Sequence, residues 1–141
     1  MKVIVDTCVW SLALRRNRKH SVDCVLELRN LILDHKVQML GHIRQEILSG
    51  IRDKNQFDKL QKYLENFPDW VCETEDYIEA ARCFNICQSK GIQGSNTDFL
   101  ICATAARNHF SIFTIDKDFL RFSHALPIIL HKPDLIKSED S

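Results

Sequence analysis

Apolar and polar positions fall into short blocks whose periods alternate between strand and helix. Residues 2–5 (KVIV) are a β-branched run suited to a parallel strand buried on both faces, and the run stops at Asp6 and Thr7 before a helix-compatible stretch. Val22, Val25, Leu28 and Ile32 recur at spacings of three and four, which predicts an amphipathic helix with Ser21 as its cap. KVQML (36–40) predicts a second strand, Gly41 a break, and residues 42–49 a helix. Phe57, Leu60 and Leu64 mark a further helical stripe ending near Asn66 and Pro68, and the segment around Trp70 to Cys72 reads as a third short strand.

Residues 75–90 predict a helix with Tyr77, Ala81, Phe84 and Gln88 on one face, acids in its first turn and Gly91 as its stop. The next helix, 97–109, is apolar over much of its circumference, which predicts a central position. SIFTI (111–115) then reads as a strand, 117–122 as a short helix and PIIL (127–130) as a last strand. Strands alternating with helices predict a three-layer α/β/α domain over residues 1–135, with a parallel sheet of four or five strands and a short tail at 136–141. Ligands bind outside the carboxyl ends of the strands in such sheets, and this singles out Asp6 and Asp116.

Composition narrows the class. The chain has 141 residues, 45% apolar and 27% charged, the profile of one folded domain. Its apolar runs fall far short of the ~18 residues that span a bilayer, so no membrane segment is expected. The stretch MKVIVD is too short for a signal-peptide core, and the six cysteines show no Cys-x2-Cys pair, so a cytoplasmic protein with reduced, mostly core thiols is expected. Cys83 and Cys87 share a helix face, with a core role favoured over metal binding. The 19 basic side chains balance the 19 acidic ones, so a nucleic-acid partner would have to be held by local fields. Arg15, Arg16, Arg18 and Lys19 form one such basic knot.

Two further acids join Asp6 and Asp116. Glu46 sits among Ile43, Ile47 and Leu48, and Asp98 opens the apolar helix after Gly94, Ser95, Asn96 and Thr97. Each has an ordinary structural alternative: Asp6 and Asp116 as turn or cap residues, Glu46 on a solvated face, Asp98 beside a cap at Asn96 or Thr97. If the four converge, their mutual repulsion calls for a hard divalent cation such as Mg²⁺ or Mn²⁺. An ion of that kind activates water and stabilises charge at phosphorus, the chemistry of phosphodiester hydrolysis.

The segments VIVDTCVW, RQEILSG, NTDFLICATAARN and FTIDKDF together resemble the four acidic motifs of PIN-domain ribonucleases, most closely the VapC toxins of bacterial toxin–antitoxin pairs, over about residues 2–130. The resemblance implies a Mg²⁺- or Mn²⁺-dependent endoribonuclease that cleaves a structured RNA, a tRNA or rRNA, and stops translation. It implies a catalytic set of Asp6, Glu46, Asp98, Asp116 and Thr114, with Asp6, Asp98 and Asp116 as metal ligands and Asp118 and Thr97 in support. It implies RNA phosphate contacts at Arg15, Arg16, Arg18 and Lys19, with Trp10 nearby but expected to pack inside. It also implies a small antitoxin partner and a homodimer, for which the helices near 22–33 and 54–65 are candidate contacts. Cys8 departs from the family, which often has Ser, Thr or Asn there; Thr7 and Thr97 are candidates for the missing contact. His42 is the histidine beside a motif acid, and no histidine is expected to act as the base. A metal-dependent DNA nuclease or phosphatase and a non-catalytic RNA-binding module are the alternatives.

Overall fold

The computed structural model describes residues 1–14 and 22–133. The basic knot, Ser21 and the tail from residue 134 lie outside the described residues.

Strands β1 (Val3–Val5), β2 (Val37–Leu40), β3 (Asp69–Trp70) and β4 (Ser111–Phe113) form a parallel sheet in the order β3-β2-β1-β4. β1 is thus interior, and Val3, Ile4 and Val5 are at most 3% exposed. Burial on both faces explains why this run carries no polar alternation. The described helices are α1 (Thr7–Leu14), α2 (Val22–Leu33), α3 (Gly41–Leu48), α4 (Lys54–Leu64), α5 (Thr74–Ser89), α6 (Asn96–Asn108) and α7 (Asp118–Ala125). α1 packs on α2 and α3, and α3 on α4, while α5 packs on α6 and α7. Right-handed crossovers running from β1 to β3 put the first group on one face, and the return from β3 to β4 puts the second group on the other.

The last expected strand, 127–130, contributes one parallel bridge between Leu130 and Ile112. Pro127 brings no N–H, and the Ile128 N–H turns back to Leu126 O at 2.9 Å, so the ladder does not extend. The sheet therefore has four strands. β3 starts at Asp69, one residue before the expected position, where Arg44 of α3 clamps the Asp69 carboxylate through Nε at 3.0 Å and Nη2 at 2.9 Å. β4 ends at Phe113, and the next residue, Thr114, turns its hydroxyl to Asp6 and takes the Asp116 N–H.

α6 is the central helix, with Phe99 and Ile101 to Ala105 all buried. Its N-terminal end stands in an aromatic cluster, Phe84, Phe99, Phe122 and Phe119, with successive ring centroids 5.0–5.6 Å apart. Gly94 is required there: a Cβ would lie 2.6 Å from Phe122 Cζ and 2.9 Å from Phe99 Cζ. Gly91, at φ 73°, takes the left-handed conformation that ends α5.

Two helix faces differ from the expected stripes. In α5 Tyr77, Ala81 and Gln88 are exposed, and the buried positions are Asp76, Cys83 and Cys87. Asp76 accepts from Arg107 Nη1 at 2.6 Å and from Asn108 Nδ2 at 3.3 Å, which turns the helix to bring this acid inward. In α2 the buried residues include Glu27, Leu28 and Leu31, while Val25 and Ile32 are only half-buried. Glu27 Oε2 meets His131 Nε2 at 2.6 Å. Cys83, Cys87 and Cys102 are core thiols, and burial pushes Cys83 up to about 11.

Candidate active site

Asp6 follows β1 directly and starts α1. Its backbone oxygen accepts the N–H groups of Val9 and Trp10, and its Oδ1 accepts the Thr7 N–H at 2.8 Å. The capping role open to such an aspartate is therefore real, but it uses only part of the carboxylate. Asp6 N donates to Phe113 O at 2.9 Å, which fixes the end of β1 against the end of β4. From β4, Thr114 Oγ1 donates to Asp6 Oδ2 at 2.8 Å and accepts the Asp116 N–H at 3.0 Å. These two strand ends flank the point where the strand order reverses, the place where open α/β sheets bind ligands.

Asp98 acts on Asp6 electrostatically, and both act on Glu46. Burial raises Asp6 above the ordinary carboxylate value; Thr114, Thr7 and Cys8 oppose this through hydrogen bonds, and the nearby Asp98 charge adds to it. Burial likewise raises Glu46, with Thr7 opposing and the charges of Asp6 and Asp98 adding. Glu46 is exposed on α3, and its Oε1 accepts from Thr7 Oγ1 at 3.3 Å. Thr7 thus touches two of the acids, through its N–H and its hydroxyl.

Asp98 is held by a capping box. The cap of α6 is Ser95, not Asn96 or Thr97: Ser95 Oγ accepts the Asp98 N–H at 3.1 Å, and Asp98 Oδ2 accepts the Ser95 N–H at 3.1 Å. Thr97 Oγ1 lies 3.0 Å from Ser95 Oγ, and it is Thr7 that contacts Asp6. Asp116 is exposed, and its Oδ1 accepts the Asp118 N–H at 2.9 Å, bracing the turn that leads into α7. Asp118 pairs with Arg121 on the same helix.

Cys8, the departure from the family pattern, has its sulfur 3.5 Å from Asp6 Oδ2 and 3.4 Å from Thr114 Oγ1. His42, at the start of α3, is half-buried and its Nε2 has no hydrogen-bond partner. Burial lowers its pKa against the pull of Asp6 and Asp98, so the ring is neutral near pH 7. Trp10 is 1% exposed and packs edge-on against Phe67 at 5.2 Å, so it is a core residue and offers no face for base stacking. Sequence reasoning did not foresee the Thr7 hydroxyl on Glu46, since nothing in a one-dimensional pattern links residues so far apart.

A cavity of about 710 Å³ opens beside Glu46 between α1, α3 and α4, its apolar walls including Leu14, Ile47, Ile51, Leu60 and Tyr63. A second cavity of about 250 Å³, between α1, α2 and α4, shares Leu14 and Tyr63 with it. Among the described residues, no helix is long and apolar enough to cross a membrane.

The donor set of Asp6, Glu46, Asp98 and Asp116 is all carboxylate oxygen, the chemistry a hard divalent cation prefers. Burial raises Asp6 and Glu46, and the charge of neighbouring acids, which adds to it, is what such a cation would neutralise. Among the described residues no three or more His, Cys, Asp and Glu side chains are already drawn together as a metal cage. Glu46 and Asp116 are exposed side chains, so drawing in demands no change of the core.

The family model described as PIN domain matches residues 3–125. FitAcB from Neisseria gonorrhoeae is similar in structure, with a TM-score of 0.74 at 20% identity over 93% of this chain and 97% of that one. VapBC2 from Rickettsia felis, bound to a DNA fragment from its promoter, gives a TM-score of 0.74 at 18% identity over 93% and 98%. DNA-bound VapBC from Salmonella typhimurium gives 0.68 at 14% identity over 94% and 97%. At these identities the likeness is one of fold. No curated protein matches the sequence.

Proposed function

Since the chain belongs to the PIN-domain family, we propose that it is a metal-dependent endoribonuclease, the toxin of a toxin–antitoxin pair, which hydrolyses phosphodiester bonds of a structured RNA such as a tRNA or rRNA and so stops translation. The observation that carries this reading is the hydrogen-bonded set at the carboxyl edge of the sheet, in which Thr7 joins Asp6 to Glu46 and Thr114 joins Asp6 to Asp116, with the Asp98 charge acting on Asp6.

Asp6, Asp98 and Asp116 would hold the cation, Mg²⁺ or Mn²⁺. When bound, it supplies Lewis-acid stabilisation of the phosphate and a water of lowered pKa. Asp6 is fixed by Thr7 and Thr114, so its carboxylate is oriented before substrate arrives. Glu46 is the acid suited to take the proton of the attacking water: it is exposed, its carboxyl is raised, and Thr7 Oγ1 orients one oxygen. Thr97 and Asp118 support the site at one remove, through the caps of α6 and α7. Arg15, Arg16, Arg18 and Lys19, which follow α1 in sequence, are the proposed RNA phosphate contacts.

The antitoxin partner is part of the proposal. Two of the similar structures are VapBC assemblies, and the groove beside Glu46 gives an apolar segment of such a partner a seat from which it would cover that acid. α2 and α4, the helices expected to join two copies, line the adjoining cavities, so a homodimer using them would compete with the antitoxin. The proposed setting is the cytoplasm.

The test is incubation of the purified chain with total RNA, and in parallel with DNA, in Mn²⁺, with a chelator and Asp6→Asn as controls. Discrete RNA fragments abolished by both controls are expected. RNA fragments that persist in Asp6→Asn contradict the mechanism, cleavage of DNA in preference to RNA favours the DNA-nuclease alternative, and absence of cleavage favours the binding module.

A further inference from the structure

The proposed site leaves one of its own side chains without a role, the thiol of Cys8. Unlike Cys83, Cys87 and Cys102, which are buried in the core, Cys8 is half-buried with its sulfur between two polar groups of the acid pocket. The Asp6 carboxylate offers about four lone-pair positions. Oδ1 accepts the Thr7 N–H, and Oδ2 accepts the Thr114 hydroxyl. The single Thr114 proton is thereby committed to Asp6, while its oxygen takes the Asp116 N–H. A third donor is needed to fill the second position on Oδ2. The Cys8 S–H, 3.5 Å away, is within sulfur hydrogen-bonding reach of it and lies equally within reach of Thr114 Oγ1 at 3.4 Å. With one proton each, sulfur and hydroxyl both donate to the carboxylate, and the three groups together join the first turn of α1 to the ends of β1 and β4.

We infer that Cys8 is a positioning residue for the cation site: its thiol is the second donor to Asp6 Oδ2 beside Thr114, fixes that side of the carboxylate to the fold, and leaves Oδ1 as the oxygen with a position to spare for the divalent ion. This inference rests on the metal-dependent reading above. The sulfur is not itself a ligand; it acts through Asp6. A hydroxyl at the same position would serve as the same donor, whereas a methyl group would leave Oδ2 one donor short and the carboxylate freer to rotate.

The experiment is calorimetric titration of Mn²⁺ into the full chain as wild type, Cys8→Ala and Cys8→Ser, with thermal unfolding of each in chelator. Removing a group that orients a metal ligand typically weakens metal affinity by about 10–100-fold. Cys8→Ala is expected to bind Mn²⁺ about tenfold more weakly, with the unfolding temperature in chelator little changed, and Cys8→Ser is expected to restore most of the affinity. Wild type and Cys8→Ala binding Mn²⁺ equally well would overturn the inference while leaving the cation site standing. Failure of Cys8→Ser to recover affinity, or a loss of thermal stability shared by both variants at unchanged affinity, would also overturn it. A wild type that takes up no Mn²⁺ would sink the metal-dependent reading itself, and the inference with it.

Discussion

Asp6 serves the fold and the pocket with the same side chain, and the two demands pull in opposite directions. Its Oδ1 and backbone oxygen begin α1, yet its charge is buried at 9% exposure beside Asp98. A carboxyl whose folded pKa is raised makes the ionised form unfavourable to folding, so without cation the chain gains stability as pH falls through that value toward the unfolded one. Asp6→Asn removes the charge and keeps the shape. In chelator at pH 7 it is expected to stabilise the chain by about 1 kcal/mol, the scale seen when a strained functional site is relieved, while ending cleavage. Urea unfolding checks this, and a loss of stability would show that the Asp6 charge is already balanced by the protein. The strand-end position of Asp6 and the helix-start position of Asp98 are legible in the sequence. The choice of Ser95 over Asn96 or Thr97 as cap is not, because all three carry cap-competent side chains and only the backbone at Ser95, φ −88° and ψ 162°, decides.

The elements themselves follow from periodicity, and the errors have one physical source. The expected faces of α2 and α5 are both turned from the observed ones, and each helix buries an acid, Glu27 at 2% and Asp76 at 1% exposure. Counting apolar residues cannot find a buried carboxylate whose partner comes from another element: His131 for Glu27, Arg107 and Asn108 for Asp76. Strand ends shift with side-chain contacts too: Arg44 holds the Asp69 carboxylate where β3 begins, and the Thr114 hydroxyl takes a backbone N–H after β4. The Asp76 network gives a prediction at this scale. Burial pushes Asp76 up, but the Glu73 N–H, Arg107 and Asn108 outweigh it and hold the carboxyl below its ordinary value. A depressed carboxyl contributes stability fully present above the unfolded value of about 3.9 and lost as pH falls through the lower folded value. Asp76→Asn is expected to cost about 2 kcal/mol at pH 7, with the gap to wild type closing only below about pH 4. A gap in urea unfolding that stays constant down to pH 2.5 would mean the charge is not what the network uses.

For the whole molecule, topology does what no single motif can. The order β3-β2-β1-β4 puts β1 beside both β2 and β4, so residues from four distant segments are drawn to one edge: Asp6 after β1, Glu46 on the helix after β2, Asp98 at the start of α6, and Thr114 with Asp116 after β4. The chain is neutral overall, so RNA would be attracted by local fields and not by bulk charge. The α/β/α architecture and the parallel sheet are as the alternation of elements predicts; the reduction of the fifth strand to one bridge depends on the local turn at Leu126 to Ile128, which hydrophobicity does not encode. Most directly, the account is tested by a crystal grown with Mn²⁺ and measured at the manganese edge. It predicts an anomalous peak about 2.1 Å from carboxylate oxygens of both Asp6 and Asp98. A pocket without such a peak, or manganese bound only elsewhere, would contradict it.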